Sequence, residues 1–294
     1  MNSELQNFSQ GQWRAISHLC SDVSQLGTML HYEWPASPAS PYMTERLAFS
    51  NAIEMEREGS ELIDISMLYG RVFQAKPEGA RYGADYGSGM RIEQKYRAII
   101  EAFSELDHFQ TRPRLPAGLR QLKREQEPAP MRAMNRARDF AKRCYTEERA
   151  SLEAQRVLAE ENMFPAVPLP IVFHVPRLRA DGDWMIGALR RFKTAIEHAL
   201  DLLVAANEFI QGGETILGDA FRKDAVAWKV VPILAGKPTL RQDELCELLS
   251  VSKKTAIATL TALENAGVAT EIRGLEKWQV WTAADETLGL PKAA

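Results

Sequence analysis

The segment QDELCELLSVSKKTAIATLTALENAGVATEIRG, residues 242–274, decides how this chain is read. It divides into a helix-length stretch, a three-residue break, a second helix-length stretch, a glycine and a short β-prone run. In RQDELCELLS, Leu245, Leu248 and Leu249 recur at helical spacing and are predicted to point inward. VSK is the turn. In KKTAIATLTALENAG, Ile257, Leu260 and Leu263 form the inward stripe, and Gly267 supplies the left-handed residue that stops the helix. That leaves Lys253, Lys254, Thr255, Ala258 and Thr259 facing away from the core. VATEIRGLEKWQVWTA then sets Val268, Thr270 and Ile272 against Trp278, Val280 and Thr282, which predicts a hairpin with its tip at Gly274–Lys277. Upstream, DAVAWKVVPILAG supplies one more helix, with Pro232 late in its length, where a bend is expected.

Three helices followed by a hairpin is the order of a winged helix-turn-helix. In that arrangement the helix opening at Lys253 lies in a DNA major groove, where its first turns reach base edges. Lys253, Lys254, Thr255 and Thr259 are therefore the predicted DNA-binding residues of the helix. Arg273 and Lys277 flank the hairpin tip, placed to reach phosphates or the minor groove. The competing reading is a winged helix that binds protein or dimerises. The local charge, 9 basic against 7 acidic residues over 222–281, leaves that competitor standing.

Outward from this segment the chain is mainly α-helical. WMIGALRRFKTAIEHALDLLVAANEFI carries Ile186, Leu189, Phe192, Ile196, Leu200, Leu203 and Ile210 at a period near 3.6, predicting a long helix. Asp183 is its predicted N-cap and QGGE its stop. The N-terminal residues 4–31 also show helical spacing, followed by WPASPASPY, residues 34–42, whose three prolines predict an extended connector. Beyond it two helices are expected, the first capped by Thr44 and stopped by Gly59, with Ser60 capping the second. GARYGADYGSG, residues 79–89, reads as a flexible segment that fits neither of the common phosphate-binding glycine patterns. A helix over Ile92–Phe103 follows, with Tyr96, Ile99 and Ile100 on its apolar side. Residues 164–176 hold Pro165, Pro168, Pro170 and Pro176 and read as irregular, extended chain. The expected organisation is a helical domain over 1–218 and a winged helix over 219–285.

Of the 294 residues, 45% are hydrophobic and 26% charged, and no apolar run approaches the roughly 18 residues of a membrane helix. The first residues lack the basic-then-apolar pattern of a secretory signal, so a cytoplasmic location is expected. The net charge is −3, yet residues 110–160 hold 12 basic against 7 acidic side chains. Ten of the basic ones, Arg112, Arg114, Arg120, Lys123, Arg124, Arg132, Arg136, Arg138, Lys142 and Arg143, form a run that is either a solvated or intramolecular surface or a track for phosphates. Cys20, Cys144 and Cys246 are scattered and support neither disulfides nor a zinc site, and Cys246 reads as a small core residue. The five histidines, His18, His31, His108, His174 and His198, show no HExxH spacing. No catalytic residue, metal or cofactor is expected.

GDWMIGALRRFKTAIEHALDLL followed by LRQDELCELLSVSKKTAIATLTALENAGVATEIRG resembles the C-terminal part of Fic-like proteins, including related rhizobial proteins, in which a long helix precedes a winged helix. RLAFSNAIEMEREGSELIDISML is similar to the N-terminal helix pair of the rhizobial group. The resemblance covers about half of the chain. Fic enzymes carry an HPFxDGNGR-type loop with the catalytic histidine, and no such segment occurs here, so the resemblance implies that nucleotide transfer has been lost. The function expected is that of a bacterial transcriptional regulator binding double-stranded DNA. It is expected to pair as a homodimer through the helix Trp184–Ile210, whose surplus apolar residues include Leu202, Val204 and Phe209. The alternatives are a protein-interaction scaffold or a degenerate Fic-type nucleotidyl transferase.

Overall fold

A computed structural model describes residues 8–57, 84–104, 135–136, 138–139, 142, 146–160, 169, 182–223, 225–272, 279–285 and 288. Among them are eight helices and one three-stranded antiparallel sheet. The helices are α1 (Gln10–Ala36), α2 (Ser40–Arg57), α3 (Ala84–Ser104), α4 (Glu147–Glu160), α5 (Gly182–Ala220), α6 (Ala227–Gly236), α7 (Gln242–Leu249) and α8 (Lys253–Asn265). The strands are β1 (Leu240–Arg241), β2 (Ala269–Glu271) and β3 (Val280–Ala283). The chain divides into two compact units, Met1–Trp34 with Ala98–Leu200 and Pro35–Arg97 with Asp201–Ala294.

In the first unit, α1 and α5 run parallel and in step. Gln12 Nε2 donates to Asp183 Oδ1 at 2.9 Å, and ten residues further along both helices Lys193 Nζ donates to Asp22 Oδ2 at 2.9 Å. Both pairs are exposed enough to add little stability, so the buried Ile16 and Val23 of α1 and Met185, Leu189, Phe192 and Ile196 of α5 carry the energy. In the same unit the buried side chain of Gln155 on α4 pairs with both backbone groups of Leu169, donating at 2.7 Å and accepting at 2.8 Å. An amide side chain thereby supplies the ladder bonds that a neighbouring strand would give.

In the second unit α2 packs on α6, and α6 also touches α8 and β3. Ala227, Val230, Val231, Ile233, Leu234, Ala235 and Gly236 of α6 are all buried, as befits a short helix covered on nearly every side. The sheet has the order β1–β3–β2. Leu240 pairs with Trp281, Thr270 with Thr282 and Glu271 with Trp281. Trp281, Val280 and Leu240 lie in the core.

Several expectations are corrected. The proline-rich stretch 34–42 is not an extended connector. The α1 helix continues through Pro35 to Ala36, and α2 opens at Ser40 with Pro41 in its first turn, where a missing N–H costs nothing. Only residues 37–39 link the two, and Ser37 Oγ there donates to Asn207 Oδ1 at 2.6 Å. Thr44 lies inside α2 rather than capping it. Residues 84–89 belong to α3, and Asp183 occupies the first turn of α5, which already includes Gly182. QGGE does not end α5. The helix runs on to Ala220, 39 residues or about 58 Å at 1.5 Å per residue. Gly213 is tolerated because a Cβ there would stand 2.9 Å from Val231 Cγ1, so the small residue lets α5 close on α6. Leu202 and Phe209 are buried within the single chain, leaving Val204, 56% exposed, as the outlying apolar residue of the proposed pairing stripe. Gly59, Ser60 and residues 79–83 lie outside the described residues, as do the four prolines of 164–176.

Two glycines give opposite expectations. A Cβ on Gly236 would lie 2.6 Å from the Ala39 carbonyl oxygen and 2.6 Å from Tyr42 Cβ, so Gly236→Ala forces backbone to move. It is expected to destabilise by about 1–3 kcal/mol, the cost of an overpacked core site. Gly212 has nothing within 4 Å and sits inside a helix, so Gly212→Ala is expected to stabilise by about 0.5–1 kcal/mol. Urea denaturation of both variants checks this. Equal shifts of the same sign would refute the close approach at Gly236.

Candidate nucleic-acid interface

The α7 and α8 helices are joined by residues 250–252. Ser250 takes the left-handed conformation (φ 54°, ψ 41°) as the C-cap of α7, and its N–H donates to the Cys246 carbonyl. Ser252 caps α8, its Oγ accepting from Thr255 N–H at 3.1 Å and lying 2.8 Å from Thr255 Oγ1. At the far end of α8, Gly267 adopts φ +74° and Val268 N–H donates to the Leu263 carbonyl at 2.9 Å, the closing bond of a glycine-stopped helix. The reading of Gly267 therefore matches the geometry, while the turn lies one residue earlier than VSK suggests.

Ala256, Leu260 and Leu263 bury one face of α8. Ile257, expected inward, is half-buried, because Ala256 takes the place nearest the core. In α7 only Leu245 is fully buried. Leu248 is 43% exposed, Leu249 is half-buried, and Arg241 both ends β1 and serves as the N-cap of α7. Cys246, read as a core residue, is half-buried as well.

Lys253, Lys254, Thr255 and Ala258 are exposed, and Thr259 is half-buried on the flank of α8. At about 100° per residue, Lys254, Ala258, Thr261 and Asn265 fall within an arc of roughly 60° opposite the buried face. All four are exposed. Thr261 and Asn265 share this exposed stripe, which spacing alone does not mark when Ile257 is placed inward instead of Ala256. The signal was present in the spacing of Ala256, Leu260 and Leu263, had the small alanine been counted as core. Lys253 and Lys254 are the first two residues of α8, and no acid occupies its first turn. Cations at the positive end of a helix oppose its dipole, so this pair serves the helix poorly and an external anion well. Arg273 and Lys277 lie outside the described residues. Of the arginine-rich run, Arg136 pairs with Glu153 at 3.6 Å, Arg138 is buried and Lys142 pairs with Asp139 at 3.0 Å, while the others lie outside the described residues.

The first turn of α7 is fixed by a charged cluster. Lys237, 5% exposed, places Nζ 2.5 Å from Glu45 Oε1 of α2 and 2.5 Å from Glu244 Oε1 of α7. The second carboxylate oxygen of Glu244 accepts a long hydrogen bond, 3.4 Å, from Arg241 N–H. Arg46, 2% exposed, donates to the carbonyls of Leu288 at 2.7 Å and Leu234 at 2.9 Å, and also to that of Lys237. Burial alone would lower the Lys237 pKa, but Glu45 and Glu244 outweigh it and hold the ammonium above its usual range. Burial, reinforced by the same two carboxylates against the opposing Arg97, drives the Tyr96 phenol well above its ordinary value. Among the described residues no group of three His, Cys, Asp or Glu side chains is placed to hold a metal ion.

Both shifts act on the alkaline side. Folding favours charged Lys237, a contribution present below its unfolded pKa of about 10.4 and lost as pH rises through the raised folded value. Folding also favours neutral Tyr96, so above about pH 10 the unfolded chain gains by releasing that proton and stability falls. Urea midpoints are expected to drop as pH rises above about 10, and less steeply in Tyr96→Phe than in the natural chain. An identical drop in both would exclude Tyr96 as a source. Compared with known proteins, the chain matches no family model and no curated sequence.

Proposed function

We propose that this protein binds double-stranded DNA sequence-specifically through a winged helix-turn-helix formed by α6, β1, α7, α8, β2 and β3, and acts as a transcriptional regulator. The observation that supports the reading most is α8 itself. Its N-terminal lysines are exposed and unmatched by any first-turn acid, and its outer face carries a small residue, Ala258, that lets the helix backbone come close to a groove floor. The order helix, strand, helix, helix, hairpin, with β1 added to the hairpin through β3, is that expected of such a module. On this reading the protein acts by binding, without a catalytic step. The proposal includes pairing of two copies on a two-fold site, one α8 in each half-site.

A second reading has one observation behind it. Leu248 of α7 is exposed next to the acidic, exposed Glu247, which suits a docking protein better than phosphates.

Binding of the full chain to a mixture of duplex fragments, titrated with salt, separates the two readings. DNA binding through Lys253 and Lys254 is expected to weaken as salt rises. The double variant Lys253→Ala, Lys254→Ala is expected to lose at least about tenfold in affinity while melting within about 0.5 kcal/mol of the natural protein, as exposed substitutions do. A folded double variant with unchanged affinity would overturn the assignment of α8.

A further inference from the structure

Resting on that DNA-binding reading, we infer that base selection belongs to the stripe Lys254, Ala258 and Thr261, which reads a guanine beside Lys254 and a thymine beside Ala258, whereas Lys253 and Asn265 contact the phosphate backbone. The stripe is defined by burial. Ala256, Leu260 and Leu263 fix the inward face, and the three named residues stand opposite it, all exposed. Lys253 lies about 100° round the helix from Lys254, within about 20° of the direction of Leu260 and one turn or more before it, so the two lysines cannot both address the groove floor. From Lys254 to Thr261 the helix rises about 10.5 Å, the length of about three base-pair steps. Asn265 lies about 16 Å along, where a straight helix has left the floor of a curving groove and meets the phosphate rim.

The chemistry of each position then selects its partner. An ammonium donates to guanine O6 and N7 and finds no comparable pair of acceptors on adenine, which presents N7 beside an amino donor. Ala258 offers only a methyl group, which suits the thymine 5-methyl and no polar edge. Thr261 brings both a methyl and a hydroxyl, so it accepts several partners and discriminates least. The Thr255 hydroxyl lies 2.8 Å from Ser252 Oγ within the cap, which holds it at the helix start and off the stripe.

Selection from a randomised duplex library with the full chain tests the assignment, using the natural protein, Lys254→Gln and Lys253→Gln. Lys254→Gln is expected to move one position of the preferred sequence from guanine to adenine, with about tenfold preference, since a glutamine amide pairs with adenine N6 and N7. Lys253→Gln is expected to weaken all sequences alike and to reduce the salt slope by about one. Replacing the selected thymine by deoxyuridine is expected to cost about fourfold, the value of one buried methyl. An unchanged preference in Lys254→Gln, or a changed preference in Lys253→Gln, overturns the division of roles. A natural protein that binds duplexes without base preference overturns this inference and leaves DNA binding standing. One that binds no duplex overturns both.

Discussion

The second unit is organised around one guanidinium. Arg46 leaves α2 and gives its hydrogen bonds to carbonyls at the end of α6 and at Leu288, past the last strand. A helix end leaves its final carbonyls without partners, and buried carbonyls without partners are costly. A single planar cation with five donors satisfies three of them at once, which a lysine with its compact ammonium does less well. Beside it Lys237 is held between Glu45 and Glu244, so the element that closes α6 also anchors the first turn of α7. The first turn of α7 thus takes its position from a residue nearly two hundred positions earlier in the chain.

This arrangement changes what counts as the proposed DNA-binding module. The helices and hairpin of residues 227–283 contain their own small core, with Leu245, Leu260, Leu263 and Trp281 buried. Yet the C-terminal end of α6 is finished by α2, with Gly236 set against the Ala39 carbonyl and Tyr42. The compact unit that holds the module accordingly takes in Pro35–Arg97 as well. A change at Glu45 therefore reaches the first turn of α7 through Lys237 and Glu244.

The parts of the molecule governed by neighbours in sequence were legible in it. Gly267 stops α8 because only a residue at ease with positive φ fits there, and the alternation of Thr270 and Ile272 against Val280 and Thr282 marks the hairpin. The parts governed by distant contacts were not. Pro35 and the Gly212–Gly213 pair look like breaks by propensity, but α1 reaches one residue past Pro35 and α5 continues because packing outweighs a local cost of about 1 kcal/mol for a glycine and about 3 kcal/mol for a proline. Leu248 fits an inward stripe by spacing alone, yet an eight-residue helix with a single fully buried residue has little need of a second turn of core. Arg46 was hidden in the most ordinary way, as one charge among the alternating charges of TERLAFSNAIEMER. Nothing in the sequence announces that its partners are carbonyls. The outer stripe of α8 was half legible, since Lys254 and Ala258 were placed correctly and Thr261 and Asn265 were lost with the misassigned Ile257.

The split of each unit into two stretches of chain has a consequence for how the protein is made. Arg46 meets the Leu234 carbonyl across 188 positions, and Gln12 meets Asp183 across 171. At a synthesis rate of about 5–20 residues per second, α2 leaves the ribosome about 10–40 s before its packing partner exists. During that interval α2 lacks α6, its packing partner in the finished protein, although Phe49 already meets Tyr96 once α3 has followed. Closing such long loops is also slow compared with forming helices locally. The nascent chain therefore carries an apolar face of α2 without its α6 partner for many times the helix's own folding time.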